Sequence, residues 1–268
     1  FHPTLHALRF TLHKQMGMFK TKKEIEIMRE CGKRLAHVLD EIEKAITPGK
    51  TPDQLDEFAR RLILDLGDEP SFLHYWPEGA LKPYPATLCV STNDEVVHGI
   101  PGKKKFKEGD IVCIDLGIKH QGFHSDSART IPVGKIDDTA RKLIDATREA
   151  LAAGIKVARA GNHIGDIGSA VSEVVKRYGF SIVKELGGHG IGTEVHEDPH
   201  IPNFGKPREG LELKEGMVLA LEPIVNEGSP SIYLTSDGYT FRTKDGKRSA
   251  HFEHTVLITK GEPEIFTQ

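Results

Sequence analysis

With 268 residues, 38% hydrophobic and 28% charged, the chain has a globular balance and length for one large compact domain or two small ones. A formal net charge of −3 excludes a strong pull toward nucleic acid or anionic lipid, and the longest apolar runs, Ile111–Ile114 and Met217–Leu221, are strand-sized rather than membrane spans. Three cysteines, Cys31, Cys89 and Cys113, are too few for a disulfide framework and point to a reducing compartment.

Residues 1–17 carry no Asp or Glu but have Arg9, Lys14 and three His, a basic, acid-poor composition that fits a leader remnant or another extension outside the fold. Met18 is the expected domain start, and 18–268 is expected to form one catalytic domain. The span 22–46 places Ile25, Met28, Leu35, Val38, Leu39, Ile42 and Ile46 at helical spacing, and Pro48-Gly49 ends it. Thr51-Pro52-Asp53-Gln54 is a helix start, with Thr at the cap, Pro at the first helical position and Gln three on; this helix stops at Gly67. Helical patterns return over 138–158 and 164–178, broken by Gly161 and Gly179, each 112 positions after Gly49 and Gly67. The strand motif Lys107–Asp115 recurs 107 positions later as Lys214–Glu222, each copy ending on a carboxylate. Self-similarity in the same order predicts an α+β duplication, with halves at about 20–135 and 136–268 whose sheets merge across a central cleft.

Gly109–Gly134 reads as a hairpin. A turn centred between His120 and Gln121 pairs residues whose numbers sum to 241, which sets Asp115 directly opposite Asp126 with Cβ atoms about 5 Å apart. Two ionised carboxylates so placed repel unless one takes a proton or a cation lies between them; exposed strand aspartates are the plainer alternative. Glu222 follows an apolar strand and precedes Pro223, where the ladder should end, and a buried Glu needs a partner or a metal. Glu253 is expected in a strand 251–259, on the face opposite Phe252 and His254, where a solvent-facing Glu is equally allowed. Gly187–Gly192 reads as a glycine-rich loop presenting His189; no Lys-Ser/Thr follows, so it is not a phosphate loop. His98 and His196 complete the set, although a lone His is more often a structural hydrogen-bonder. Four carboxylates and one His suit hard or borderline divalent ions, and paired ions assist hydrolysis.

The segments Asn93–Pro101, Ile114–Gly117, Gly122–Asp126, Gly187–Gly192, His196–Pro199, Leu221–Pro223 and Phe252–Thr255, in this order, closely resemble type I methionine aminopeptidase from about Met18 to the C-terminus. The resemblance implies the pita-bread fold, an α+β duplication around a two-metal cleft, and removal of the initiator methionine when the second residue is small. It implies two divalent ions (Co, Mn, Fe or Zn) on Asp115, Asp126, His189, Glu222 and Glu253. Glu222 would also carry a proton from the attacking water to the leaving amine. His98 would contact the scissile amide or substrate nitrogen, and His196 would polarise the carbonyl oxygen. A monovalent cation would sit on the backbone of Asn93 and Glu95 with Ser249. Tyr84, Cys89 and Tyr239 match the methionine pocket, whereas Leu81 stands where an aromatic residue is expected and Val195 where Phe is common, so less aromatic surface is expected there. The interval between His189 and Glu222 leaves no room for the large insertion of type II enzymes. The implied partners are peptides and nascent chains bearing N-terminal Met, with the ribosome as a further candidate. A monomer, free of membrane and sequence-specific nucleic acid, is expected in the cytoplasm, or in an organelle if 1–17 is a leader remnant. Two rivals share the fold: an Xaa-Pro peptidase, and a metal-free binding module, which would be expected to have lost ligands present here.

Overall fold

The computed structural model describes residues 18–77 and 79–268; the leader reading of 1–17 lies outside them. Helix α1 (Lys22–Ala45) starts on a reciprocal cap: the Thr21 Oγ1 accepts from the Glu24 N–H at 3.4 Å, and the Glu24 carboxylate accepts from the Thr21 N–H at 2.6 Å. Its buried face is Met28, Cys31, Leu35, Val38, Leu39 and Ile42, the stripe expected from periodicity. Helix α2 (Pro52–Asp65) begins where Thr51 and Gln54 predict, with the Gln54 side chain accepting from the Thr51 N–H at 3.2 Å. Helices α3 (Asp138–Val157) and α4 (Ile164–Tyr178) form the later pair, and Gly179, with φ +77°, closes α4 in the left-handed conformation that glycine adopts freely.

Each helix pair covers an antiparallel sheet. Leu35, Leu39, Ile42, Leu55 and Ile63 of α1 and α2 pack with Val112, Ile114, Leu116 and Ile118 of strand Ile111–His120. That strand lies between Leu88–Thr92 and Phe123–Pro132 in a four-stranded sheet completed by Glu69–Pro70. Leu143, Leu151, Val171 and Val175 of α3 and α4 pack with Leu219, Leu221, Val225 and Val256. The second sheet runs Glu264–Ile265, His254–Leu257, Val218–Leu221, Gly187–Gly190, Glu197–Pro202. The two sheets meet along a seam. Glu253 N–H donates to Ala128 O at 2.9 Å, and the Thr255 hydroxyl both accepts from the Asp126 N–H at 3.0 Å and donates to Asp126 O at 2.8 Å. Among the described residues no helix is long and apolar enough to cross a membrane.

Three expectations need correction. The hairpin turn is the two-residue Gln121-Gly122, both at positive φ (+48° and +88°), a backbone that matches the twist of the flanking strands. His120 therefore pairs with Phe123, Asp115 with Ala128, and Gly117 with Asp126. A two-residue slip preserves the face, so the aspartates stay on one side as diagonal rather than opposed neighbours. The span expected as one strand, 251–259, is broken: Ser249–His251 and His254–Leu257 are separate strands, and Glu253 lies between them. Gly187–Gly190 is a strand, not a loop. Its glycines permit close backbone approach: a Cβ on Gly188 would stand 2.3 Å from Ala220 O, and one on Gly190 2.2 Å from Asp198 O. Both obstacles are main chain, which no rotamer change relieves. Gly188→Ala is therefore expected to cost about 1–3 kcal/mol, lowering the thermal midpoint by about 2–12 °C in a calorimetric scan.

Candidate active site

Five ligand-type side chains converge on the seam from five places in the chain. Asp115 and Asp126 project from the central hairpin, and both are buried. His189 comes from strand Gly187–Gly190; its Nδ1 donates to Gly190 O at 2.9 Å, so the Nε2 lone pair faces the cleft. Nε2 stands 3.6 Å from Glu222 Oε1 and 3.9 Å from Glu253 Oε1. Glu222 sits just past Val218–Leu221, before Pro223. Glu253 is 3% exposed, which rules out the solvent-facing alternative, and its carbonyl is held by Ser127 Oγ at 2.7 Å. Ligand atoms of Asp126, His189 and Glu253 all lie within 4.8 Å of one another.

Without a cation this arrangement is electrostatically unfavourable. Burial raises the Asp115 carboxyl, and the neighbouring Asp126 and Glu222 raise it further. Burial pushes Asp126 up to about 7, against the lowering effect of Asp115 and the Ser127 backbone. Glu222 is raised by burial and by Asp126, and Glu253 by burial and then by Asp126, Glu222 and Asp115. Burial lowers His189 to about 3, leaving a neutral ring able to ligate. Asp115 Oδ1, Asp126 Oδ1 and Glu253 Oε1 are buried and have no hydrogen-bond partner. Bare carboxylate oxygens beside a neutral imidazole lone pair fit a hard or borderline divalent cation.

His98 and His196 line the same cavity as the five ligand-type residues. Burial lowers His98 to about 4, while its ring lies edge-on to Phe241 with centroids 6.1 Å apart. The His196 ring is 4.4 Å from that of His189, and its Nδ1 is 2.8 Å from the Tyr75 hydroxyl. The innermost part of the cleft is a cavity of about 140 Å³ whose far wall is Phe72, Tyr75, Tyr84, Cys89 and Tyr239. Tyr84 and Tyr239 meet edge to face at 5.1 Å, and Tyr84 Oη donates to Gly99 O at 2.9 Å. Val195 is buried among these residues. Leu81 is 95% exposed and outside the cavity, so it does not bear on the pocket's aromatic surface, to which Phe72 and Tyr75 add.

Phe72 and Tyr75 were legible only as members of an aromatic run, Phe72–Trp76, in a chain with few aromatic residues. His251 joins the cluster without a motif of its own; it is 2% exposed, with Nε2 3.7 Å from Glu222 Oε2 and 4.0 Å from Glu253 Oε2. Its place two positions before Glu253 was the available signal. Of the monovalent-cation set, Asn93 and Ser249 come together, with the Ser249 N–H donating to Asn93 O at 2.8 Å. The Glu95 carboxylate is engaged by Arg242 at 2.6 Å and by the Thr92 N–H at 2.8 Å.

The carboxylate–imidazole cluster at the seam of the two helix-backed sheets has the donor set of a divalent-metal centre and opens on an aromatic pocket. Residues 26–260 match the model of metallopeptidase family M24, and the chain belongs to that family. Within it, the chain is 46% identical over 252 residues to methionine aminopeptidase of Clostridium perfringens, covering 94% of this chain and 99% of that one. It superposes on the crystal structure of methionine aminopeptidase from Rickettsia prowazekii with a TM-score of 0.90 and 38% identity, covering 93% of this chain and 99% of the other. The prolidase of Pyrococcus furiosus is more distant, with a TM-score of 0.75 and 26% identity, and the chain covers 67% of its length. The fold is the pita-bread fold, and family and buried cluster together make this a divalent-metal protein.

Proposed function

We infer that this chain is a metal-dependent aminopeptidase that hydrolyses the bond after an N-terminal methionine. The observation that carries the reading is the convergence of Asp115, Asp126, His189, Glu222 and Glu253 with three buried carboxylate oxygens bare. Two divalent ions are proposed, drawn from Co, Mn, Fe or Zn, which Asp115, Asp126, His189, Glu222 and Glu253 would hold. When bound, they supply Lewis acidity and lower the pKa of water toward neutrality.

The remaining chemistry falls to the chain. The Met side chain occupies the aromatic cavity, whose apolar wall excludes water from the scissile bond. Glu222 would accept a proton from the attacking water and pass it to the leaving amine. His98 hydrogen-bonds the substrate nitrogen, and His196 donates to the carbonyl oxygen as negative charge develops there. We further propose that 18–268 is one catalytic domain of two related halves, that Asn93, Glu95 and Ser249 hold a monovalent cation, and that the enzyme acts as a cytoplasmic monomer on small-second-residue substrates. An Xaa-Pro peptidase is disfavoured by the gap between 46% identity to a methionine aminopeptidase and 26% to a prolidase.

The test is methionine release from Met-Ala-Ser by chelated protein supplied with Co or Mn, beside Met-Lys-Ser, Ala-Ala-Ser and a Gly-Pro peptide. Metal-dependent cleavage of Met-Ala-Ser alone is expected. Cleavage of Gly-Pro would transfer the assignment to the proline peptidases, and no cleavage with no bound metal would point to a binding module.

A further inference from the structure

We propose that Tyr75 is a positioning residue for His196, so that the wall of the methionine cavity itself orients the imidazole that meets the substrate carbonyl. The proposal rests on the role given to His196 above. The phenol oxygen lies 2.8 Å from His196 Nδ1, and the two rings are 5.3 Å apart, tilted by 44°. The contact bridges 121 positions of chain, from the segment that walls the cavity to the bend between His189 and strand Glu197–Pro202.

The segment is anchored well enough to transmit position. The His74 N–H donates to Tyr84 O at 2.9 Å, and the Tyr84 N–H donates back to Tyr75 O at 2.8 Å. Tyr84 is itself buried, fastened through its hydroxyl to Gly99 O at 2.9 Å and Leu88 O at 3.3 Å. The Tyr75 ring lines the cavity beside Phe72 and Cys89 while its hydroxyl reaches the histidine. One side chain therefore touches both the space for the methionine side chain and the group for the scissile carbonyl.

We take the Tyr75 hydroxyl as the donor of this hydrogen bond, which fixes the His196 tautomer. An imidazole that accepts the phenol proton at Nδ1 carries its own proton at Nε2, where it can donate to a carbonyl oxygen; the opposite tautomer would present a lone pair to that oxygen. A methionine side chain packed on the Tyr75 ring steadies the same hydroxyl. Selectivity for methionine should thus be expressed partly in kcat, because binding at the first residue sets a group used in the transition state.

The test compares Tyr75→Phe, His196→Ala and the double variant, metal-loaded, on Met-Ala-Ser, with ¹⁵N chemical shifts of His196 in the diamagnetic zinc-loaded parent and Tyr75→Phe proteins. The expected result is an unchanged thermal midpoint for Tyr75→Phe, kcat about 10-fold lower, KM within about twofold, and a shift of His196 from Nε2–H toward mixed tautomers. The double variant should be no slower than His196→Ala alone. Unchanged kcat in Tyr75→Phe beside a large loss in His196→Ala would overturn the proposal and leave the His196 role standing. A parent His196 protonated at Nδ1 would also overturn it. No loss in His196→Ala would remove the role of His196 itself, and the proposal with it.

Discussion

Replacing Asp126 with Asn is expected to abolish metal-dependent peptide cleavage while leaving the metal-free protein at least as stable as the parent. Asp126 is 3% exposed and adds repulsion to Asp115, Glu222 and Glu253. Asn removes that charge at nearly constant volume. The strand stays in place because Thr255 binds the Asp126 main chain, not its side chain. Cleavage should fall by at least about 10³-fold, equivalent to the several kcal/mol that Lewis acidity contributes. In the parent, metal at about 100 times its dissociation constant adds about 2.7 kcal/mol, or a rise of about 5–11 °C in thermal midpoint. In Asp126→Asn that rise should shrink to about 2 °C or less. Methionine release from Met-Ala-Ser measures the loss of cleavage, and calorimetry of both proteins, with chelator and with Mn, measures the midpoints. A chelated variant melting well below the chelated parent would contradict the electrostatic account.

The stabilisation by metal should grow as pH rises from 6.5 to 8. The buried carboxylates have folded-state pKa values raised above the ordinary value near 4, to about 7 for Asp126. In that interval the folded metal-free chain binds more protons than the unfolded chain, so its stability falls with rising pH, by about 1.4 kcal/mol per pH unit for each full proton of difference. The imidazoles act in the opposite sense. His189 and His251 are lowered by burial to about 3 and His98 to about 4, so the unfolded chain takes up protons below about 6.5 and stability falls as pH drops. The histidine contribution is half complete at about pH 6.5 and nearly complete a unit higher, while the carboxylate term remains. The metal-free protein should therefore be most stable near pH 6.5 and lose thermal midpoint toward pH 8, whereas bound cations hold the metal-loaded midpoint level. Asp126→Asn should flatten the metal-free decline. Midpoints at half-unit pH intervals, with and without Mn, test this, and a metal-free midpoint still rising between pH 7 and 8 would refute it.

The amino-acid sequence by itself determined what contiguous residues can encode. Helices α1 to α4 start and stop within a residue or two of where apolar spacing, Thr51-Pro52-Gln54 and Gly179 place them, because capping and i,i+4 packing act within one or two turns. Asp115 and Asp126 were placed on one face by strand alternation, which a two-residue error in register leaves intact. The register itself turned on Gln121 accepting positive φ, a cost for a non-glycine residue that only the surrounding sheet offsets. The burial of Glu253 depends on Ala128 and Ser127, more than 120 positions earlier, closing the seam over it. The exposure of Leu81, the inward turn of Phe72 and Tyr75, the flanking of Glu222 by His251 and the bond from Tyr75 to His196 were decided the same way. Strand alternation says which residues share a face but not which face is covered; that follows from docking one sheet's edge against another, which only the tertiary structure supplies.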